Sequence, residues 1–232
     1  MNNHISSLES PHIPVMLNEV IKISSPLNGG VYIDCTFGGG GYSKQLLKFS
    51  KTIVKGLDRD SEVKEIGKKL EKKFPKRFKF HQTTFSKLED VTEGFVDVIL
   101  FDLGLSSIQL NDLKRGFSFK SNEKLDMSMG LNKISAQDVI NNLSELELKL
   151  VIKIFGEEKE AGKIAKNIVK FRNKKKITKV KELVDIIEKS KKKKYATKIN
   201  PSTKTFQALR IFVNKEITEL INGIINATKI LK

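Results

Sequence analysis

The stretch Val31-Tyr32-Ile33-Asp34-Cys35-Thr36-Phe37-Gly38-Gly39-Gly40-Gly41-Tyr42-Ser43 passes from β-branched and aromatic residues into four consecutive glycines. Residues 31–34 are predicted as a strand, the glycines as a tight turn and residues 43–49 as the helix that follows. Glycine suits such a turn because the backbone can bend sharply and approach a ligand with no Cβ in the way. Outward from it, residues 52–58 read as a second strand that ends on Asp58. Residues 62–74 carry Val63, Ile66, Leu70 and Phe74 at helical spacing before Pro75. Residues 78–81 form a third short strand. Residues 95–102 are the most apolar run and are expected to be a strand buried on both faces. Strand and helix alternating in this way predict an α/β fold with a parallel sheet.

Three features converge at the strand ends. The glycine turn follows the first strand, Asp58 closes the second, and Asp102 closes the fourth. Ligands of open α/β sheets bind at that carboxyl edge, and an acid at the end of the second strand accepts hydrogen bonds from ribose hydroxyls. A nucleoside-type ligand is therefore expected. Gly38-x-Gly40-x-x-Ser43 narrowly misses the dinucleotide fingerprint, so an NAD-type oxidoreductase stays open. The carboxylate of Asp34 would repel a pyrophosphate and suit a cationic methionine-type group, which favours S-adenosylmethionine.

Charge separates the two halves. Residues 1–111 hold 15 basic and 13 acidic residues, whereas residues 112–232 hold 28 and 14. Within 162–205 there are 16 basic residues against three acids. Such an excess points to a polyanion, with nucleic acid ahead of a membrane surface. From Ala136 onward the chain reads as helical. One helix is expected up to Gly156, a second with Ala161, Ile164, Ala165, Ile168 and Val169, and a third capped by Thr178. A last long helix should place Phe206, Leu209, Val213, Ile217, Leu220 and Ile224 on one face. No apolar run approaches the roughly 20 residues that a membrane helix needs. The opening residues have no signal-peptide pattern, and the single cysteine excludes an internal disulfide. A cytoplasmic protein is the expectation. His4, His12 and His81 are too scattered for a metal site, and no metal is expected.

Several motifs, in order, carry a specific resemblance. They are His12-x-Pro14-Val15-Met16-Leu17-x-Glu19-Val20, residues 34–43, Gly56-x-Asp58-Arg59-Asp60, and residues 102–107 with Gln109-Leu110. Arg115-Gly116-Phe117-Ser118-Phe119, Leu125-Asp126-Met127-x-Met129, Phe155-Gly156-Glu157-Glu158 and residues 203–214 complete the set. The chain resembles the bacterial 16S rRNA (cytosine-N4)-methyltransferases, the MraW/RsmH family, over roughly residues 12–230. The resemblance implies a Rossmann-like sheet that uses S-adenosylmethionine to methylate the exocyclic N4 of a cytosine in the decoding centre of 16S rRNA. It implies cofactor binding by Gly40, Gly41, Tyr42, Asp58, Phe85, Asp102 and Gln109. It also implies a methyltransferase part of residues 1–111 and 206–232, with a helical insertion of residues 112–205 that recognises RNA. The partner would be 16S rRNA or the small ribosomal subunit.

This sequence departs from that pattern in three places. Tyr42 stands where the family usually has histidine, and Ser128 where it usually has arginine. The family also continues with a Gly-Gly turn and a further strand beyond the point where this chain stops, so a C-terminally truncated sheet is expected, and an inactive RNA-binding remnant stays open as the alternative to an active methyltransferase.

Cytosine N4 is a poor nucleophile, so an acceptor must draw one of its protons. Asp102, or a carbonyl of Leu103-Gly104, is the candidate, with pure cofactor binding by Asp102 as the alternative. A C5 mechanism would need a cysteine nucleophile, and Cys35 in the glycine turn reads as a packing residue. Phe117 and Phe119 are candidates to stack on RNA bases or to anchor their loop. Lys174, Lys175, Lys176 and residues 191–194 are candidate phosphate contacts.

Overall fold

A computed structural model describes residues 14–191 and 199–232. Four strands form one parallel sheet: β1 (Gly30–Asp34), β2 (Thr52–Asp58), β3 (Phe78–Gln82) and β4 (Val98–Leu100), in the order β3-β2-β1-β4. The register sets Asp34 beside Gly56 and Leu100, so β1, β2 and β4 end at one edge. The fold is Rossmann-like α/β. By contacts the chain divides into a first unit, residues 1–107 with 223–232, and a second unit, residues 108–222.

In the first unit, side chains alternate between the two faces of the sheet. Ile33, Cys35 and Leu57 pack with Leu88, Val96 and Ala227 on one face. On the other, Phe37 packs tilted against Phe78 and edge-on against Phe80, with ring centroids 5.5 and 5.3 Å apart. Helix α1 (Leu17–Ser24) precedes β1, α2 (Gly41–Leu46) joins β1 to β2, and α3 (Lys64–Lys73) joins β2 to β3. Gly67 lets α3 lie against the Phe80 ring, where a Cβ would collide.

The fourth strand differs from the expectation. It spans three residues, all only half-buried, and not a run of eight buried on both faces. The cause is position: β4 is at the end of the strand order. Beyond it, the Val96 N–H donates to the Ile230 carbonyl at 2.8 Å, and Val96 forms a parallel bridge with Leu231.

The second unit is helical, with α4 (Ser107–Asn111) at its border, then α5 (Ala136–Asn142), α6 (Glu145–Gly156), α7 (Ala161–Arg172), α8 (Val180–Ser190), α9 (Thr203–Val213) and the start of α10 (Glu216–Ile230). α6 packs on α7 and α9, and α8 on α7. The single helix expected from Ala136 to Gly156 is two. Ser144 caps α6, accepting from the Glu147 N–H at 3.2 Å while Glu147 accepts from the Ser144 N–H at 2.8 Å. This reciprocal pair stops α5 and restarts the chain as α6. At α8 the cap falls on Lys179, and the Glu182 carboxylate accepts from the N–H groups of Thr178 and Lys179.

The last long helix is also two, and the break has a clear cause. Asn214, fully buried, accepts from the Met129 N–H at 2.8 Å and donates to the Met127 carbonyl at 2.8 Å. Lys215 follows with φ of 51°, in the left-handed region. The apolar face expected along the whole segment is consequently split. Phe206, Leu209 and Val213 are buried on α9, while Ile217 and Ile224 are about half exposed on α10, whose buried positions are Gly223 and Ala227. The sequence reading put residues 206–222 with the methyltransferase part; by contacts they belong to the second unit.

Candidate functional site

The edge of the sheet is built around the glycine turn. Gly38 and Gly40 have φ of 49° and 75°, a region that only glycine enters freely. A Cβ on Gly40 would stand 2.9 Å from the Phe37 ring, and one on Gly41 would collide with Pro14. Gly39 is different: a Cβ there would meet nothing within 4 Å. The fold therefore does not demand glycine at 39, and the space beside it is open.

The carboxylates around this turn are held in three ways. Asp34 is completely buried, and its Oδ2 accepts from the Ser43 hydroxyl at 2.7 Å. Burial pushes its pKa up to about 6, partly opposed by the Ser43 hydrogen bond. Fully buried, it has no surface with which to touch a ligand. Asp58 accepts from the Gly38 N–H at 2.8 Å through Oδ2 and from the Asp60 N–H at 2.9 Å through Oδ1. Desolvation lifts its pKa to about 6 against those two hydrogen bonds. An ionised carboxylate has about four lone-pair sites, so Asp58 keeps acceptor capacity. Asp102 is exposed, and its own N–H donates to Thr36 Oγ1 at 2.8 Å.

Tyr42, on α2, donates its phenolic O–H to the Val15 carbonyl at 2.6 Å. Burial and then the nearby Asp102 carboxylate raise its pKa. Gly40, Gly41, Tyr42, Asp58 and Asp102 are thus brought to one edge. Phe85 packs edge-to-face on Phe101, with centroids 5.6 Å apart, and against Gly223. Gln109 is buried in the second unit, on α4. Two supports escaped the sequence reading: Thr36, which fixes the backbone of Asp102, and Ser43, which neutralises part of the Asp34 burial cost. A serine nine residues after a strand-end acid was the only available signal.

Cys35 is buried in the sheet core, and burial pushes its thiol far up, so it stays protonated and inert. Phe117 is buried under the Arg115 guanidinium, 5.3 Å from its centroid, and Phe119 packs on Phe206. These rings anchor their loop. Lys175 pairs with Glu182 at 2.8 Å and Lys191 with Glu158. Residues 192–194 lie outside the described residues. Among the described residues, no group of three or more His, Cys, Asp or Glu side chains is arranged to hold a metal ion, and no helix is long and apolar enough to cross a membrane.

Comparison with known proteins identifies the family. The model of the MraW methylase family matches residues 9–232. The "Ribosomal RNA small subunit methyltransferase H" of Ehrlichia ruminantium (strain Welgevonden) is 43% identical over 226 residues, covering 95% of this chain and 75% of that protein. The protein of the same name from Neorickettsia sennetsu is 43% identical over 223 residues, covering 95% and 75%. That from Parvibaculum lavamentivorans is 39% identical over 235 residues, covering 100% and 69%. The chain belongs to the MraW methylase family.

Proposed function

We propose that the chain is an S-adenosylmethionine-dependent rRNA methyltransferase that acts on the exocyclic N4 of a cytosine in the decoding centre of 16S rRNA. The observation that carries the reading is the acid-rimmed edge, where Asp58 and Asp102 flank a glycine turn with open space beside Gly39. That donor set fits the cofactor. Asp58 has acceptor capacity left for ribose hydroxyls, the Gly39 opening admits a close approach, and Asp34, Asp58 and Asp102 give the edge a negative field for a cation. A pyrophosphate would meet the same field as repulsion, which disfavours NAD. Gly40, Gly41 and Tyr42 shape the wall of the site. Phe85 and Gln109 are assigned to the cofactor on the resemblance alone.

The bound cofactor supplies an electrophilic methyl group on a sulfonium. The chain's own task is to align the base and take a proton. Asp102 is assigned as the acceptor of an N4 proton, its backbone tethered by Thr36. Alignment of this kind contributes roughly 7–11 kcal/mol towards such a barrier. The base must leave its stack, at a cost of a few kcal/mol. Residues 112–205, which carry most of the positive charge, are assigned to RNA recognition. Small ribosomal subunits from a strain lacking the modification should take up methyl from labelled S-adenosylmethionine, and nuclease digestion should release N4-methylcytidine. Methyl found only on C5, or binding of NAD without S-adenosylmethionine, would overturn the reading. Asp102→Asn should lower kcat far more than cofactor affinity if Asp102 takes the proton, whereas a pure cofactor role predicts the reverse.

A further inference from the structure

We infer that the cleft between α7 and α8 is a subsite for single-stranded RNA, in which a base stacks on Phe171 and its flanking phosphates meet Lys170, Lys174 and Lys189. The inference deepens the proposed function and rests on its choice of RNA as substrate. The cleft measures about 260 Å³ and is lined by Asn167, Lys170, Phe171, Lys174, Ile186 and Lys189. Asn167, Lys170 and Phe171 are positions i, i+3 and i+4 of α7, a single stripe, and Lys174 follows in the turn just beyond its end. Ile186, buried on α8, and the half-buried Phe171 make the apolar floor, while all three lysines are exposed around it. An aromatic ring set inside a lysine stripe is not the pattern of a solvated helix face, which keeps aromatics on the core side.

Pairing separates these lysines from several neighbours. Lys175, Lys181 and Lys191 are neutralised by Glu182, Asp185 and Glu158. Among the described residues, no carboxylate pairs with Lys170, Lys174 or Lys189. Lys170 stands on the last turn of α7 and Lys174 in the turn that follows it. Cations flanking a flat aromatic face match a nucleotide, whose base stacks regardless of sequence while its phosphates draw cations. An acidic peptide would satisfy the lysines and leave the ring face unmatched.

Fluorescence anisotropy of a short unstructured RNA oligonucleotide with the full chain tests this. Phe171→Leu keeps the apolar floor and removes the flat face, so affinity should fall about tenfold with the salt slope unchanged. Lys170→Gln, Lys174→Gln and Lys189→Gln together should reduce the slope of log K against log salt by about 2. The same three charges removed from α3, at Lys64, Lys69 and Lys72, should change little. Unaltered binding in folded Phe171→Leu, or equal losses in the α3 control, would overturn the subsite. Should Phe171→Leu not fold, photocrosslinking of a bromouridine-substituted oligonucleotide to the unmodified chain decides: adducts on α7 or α8 support the inference, and adducts confined elsewhere refute it. Titration of the unmodified chain with S-adenosylmethionine is a separate measurement. Its failure would count against the proposed function and leave the RNA result intact.

Discussion

Asp58 carries two loads: it anchors the glycine turn through Gly38 and, in the proposed function, takes the ribose hydroxyls. Hydrogen bonds to charged groups contribute about 1.5–3 kcal/mol each, so losing two should weaken cofactor binding by about a hundredfold or more. Asp58→Ala, which leaves no side-chain acceptor, should show that loss in a calorimetric titration. Gly39→Ala separates binding from folding more cleanly. Because a Cβ at 39 touches nothing in the protein, its unfolding midpoint should match that of the unmodified chain while cofactor affinity falls. A midpoint drop comparable to that of Gly40→Ala, which meets the Phe37 ring, would contradict this. The pH dependence follows from the same burial. Asp34 and Asp58 have folded pKa values of about 6, above 3.8 for the unfolded chain. Between those values the folded state holds more protons, so these two groups lower stability as pH rises from about 4 to about 6. Asp60 and Arg59 act on Asp58 in opposite senses, and Asp34 feels Asp58. The stability difference between the unmodified chain and Asp58→Asn should therefore turn against the unmodified chain over that window. Cofactor affinity should move the other way, rising as the carboxylates ionise.

Among the elements, those whose ends are written in local chemistry were the legible ones. β2 was read to its boundaries because alternation and a terminal acid mark it. The glycine turn was read because four glycines have few other uses after a strand. β4 was read too long and too buried, since an apolar run does not say whether its strand lies inside the sheet or at its end. The helix breaks failed for another reason. Apolar spacing continues through Ser144 and through Asn214, yet both residues compete for backbone groups. The Ser144–Glu147 pair was visible as a capping pattern. The role of Asn214 was not, because its partners Met127 and Met129 lie more than 80 residues away. The candidate site followed the same division: Asp58 was legible as the last residue of β2, Asp102 lies two residues past the end of β4 where the sequence reading had it close that strand, and Thr36 as the tether of the Asp102 backbone was not legible. Asn214→Leu should cost about 2–4 kcal/mol in denaturant unfolding, because it leaves the Met127 carbonyl and the Met129 N–H buried without partners. A cost below about 0.5 kcal/mol would mean that loop 126–132 is held by other contacts.

At the scale of the whole molecule, charge is divided as the two contact units are. The first holds 17 basic and 13 acidic residues, the second 26 and 14. The cofactor edge itself is acidic, built on Asp34, Asp58 and Asp102, whereas the helical unit carries a net charge of +12. The two proposed ligands should accordingly answer salt differently. RNA binding that neutralises about five phosphates has a slope near −3.5 in log K against log salt, or roughly a hundredfold loss for a fourfold rise in salt. In the proposed function S-adenosylmethionine meets the half-buried, hydrogen-bonded carboxylate of Asp58 at close range, where screening is weak. Its affinity should change less than about threefold over the same range. Anisotropy with RNA and calorimetry with the cofactor, on one preparation at matched salt, measure both slopes. A flat RNA slope would reduce the positive charge of the second unit to solvation. A steep cofactor slope would mean that the acidic edge is open to solvent ions and does not hold its ligand as proposed.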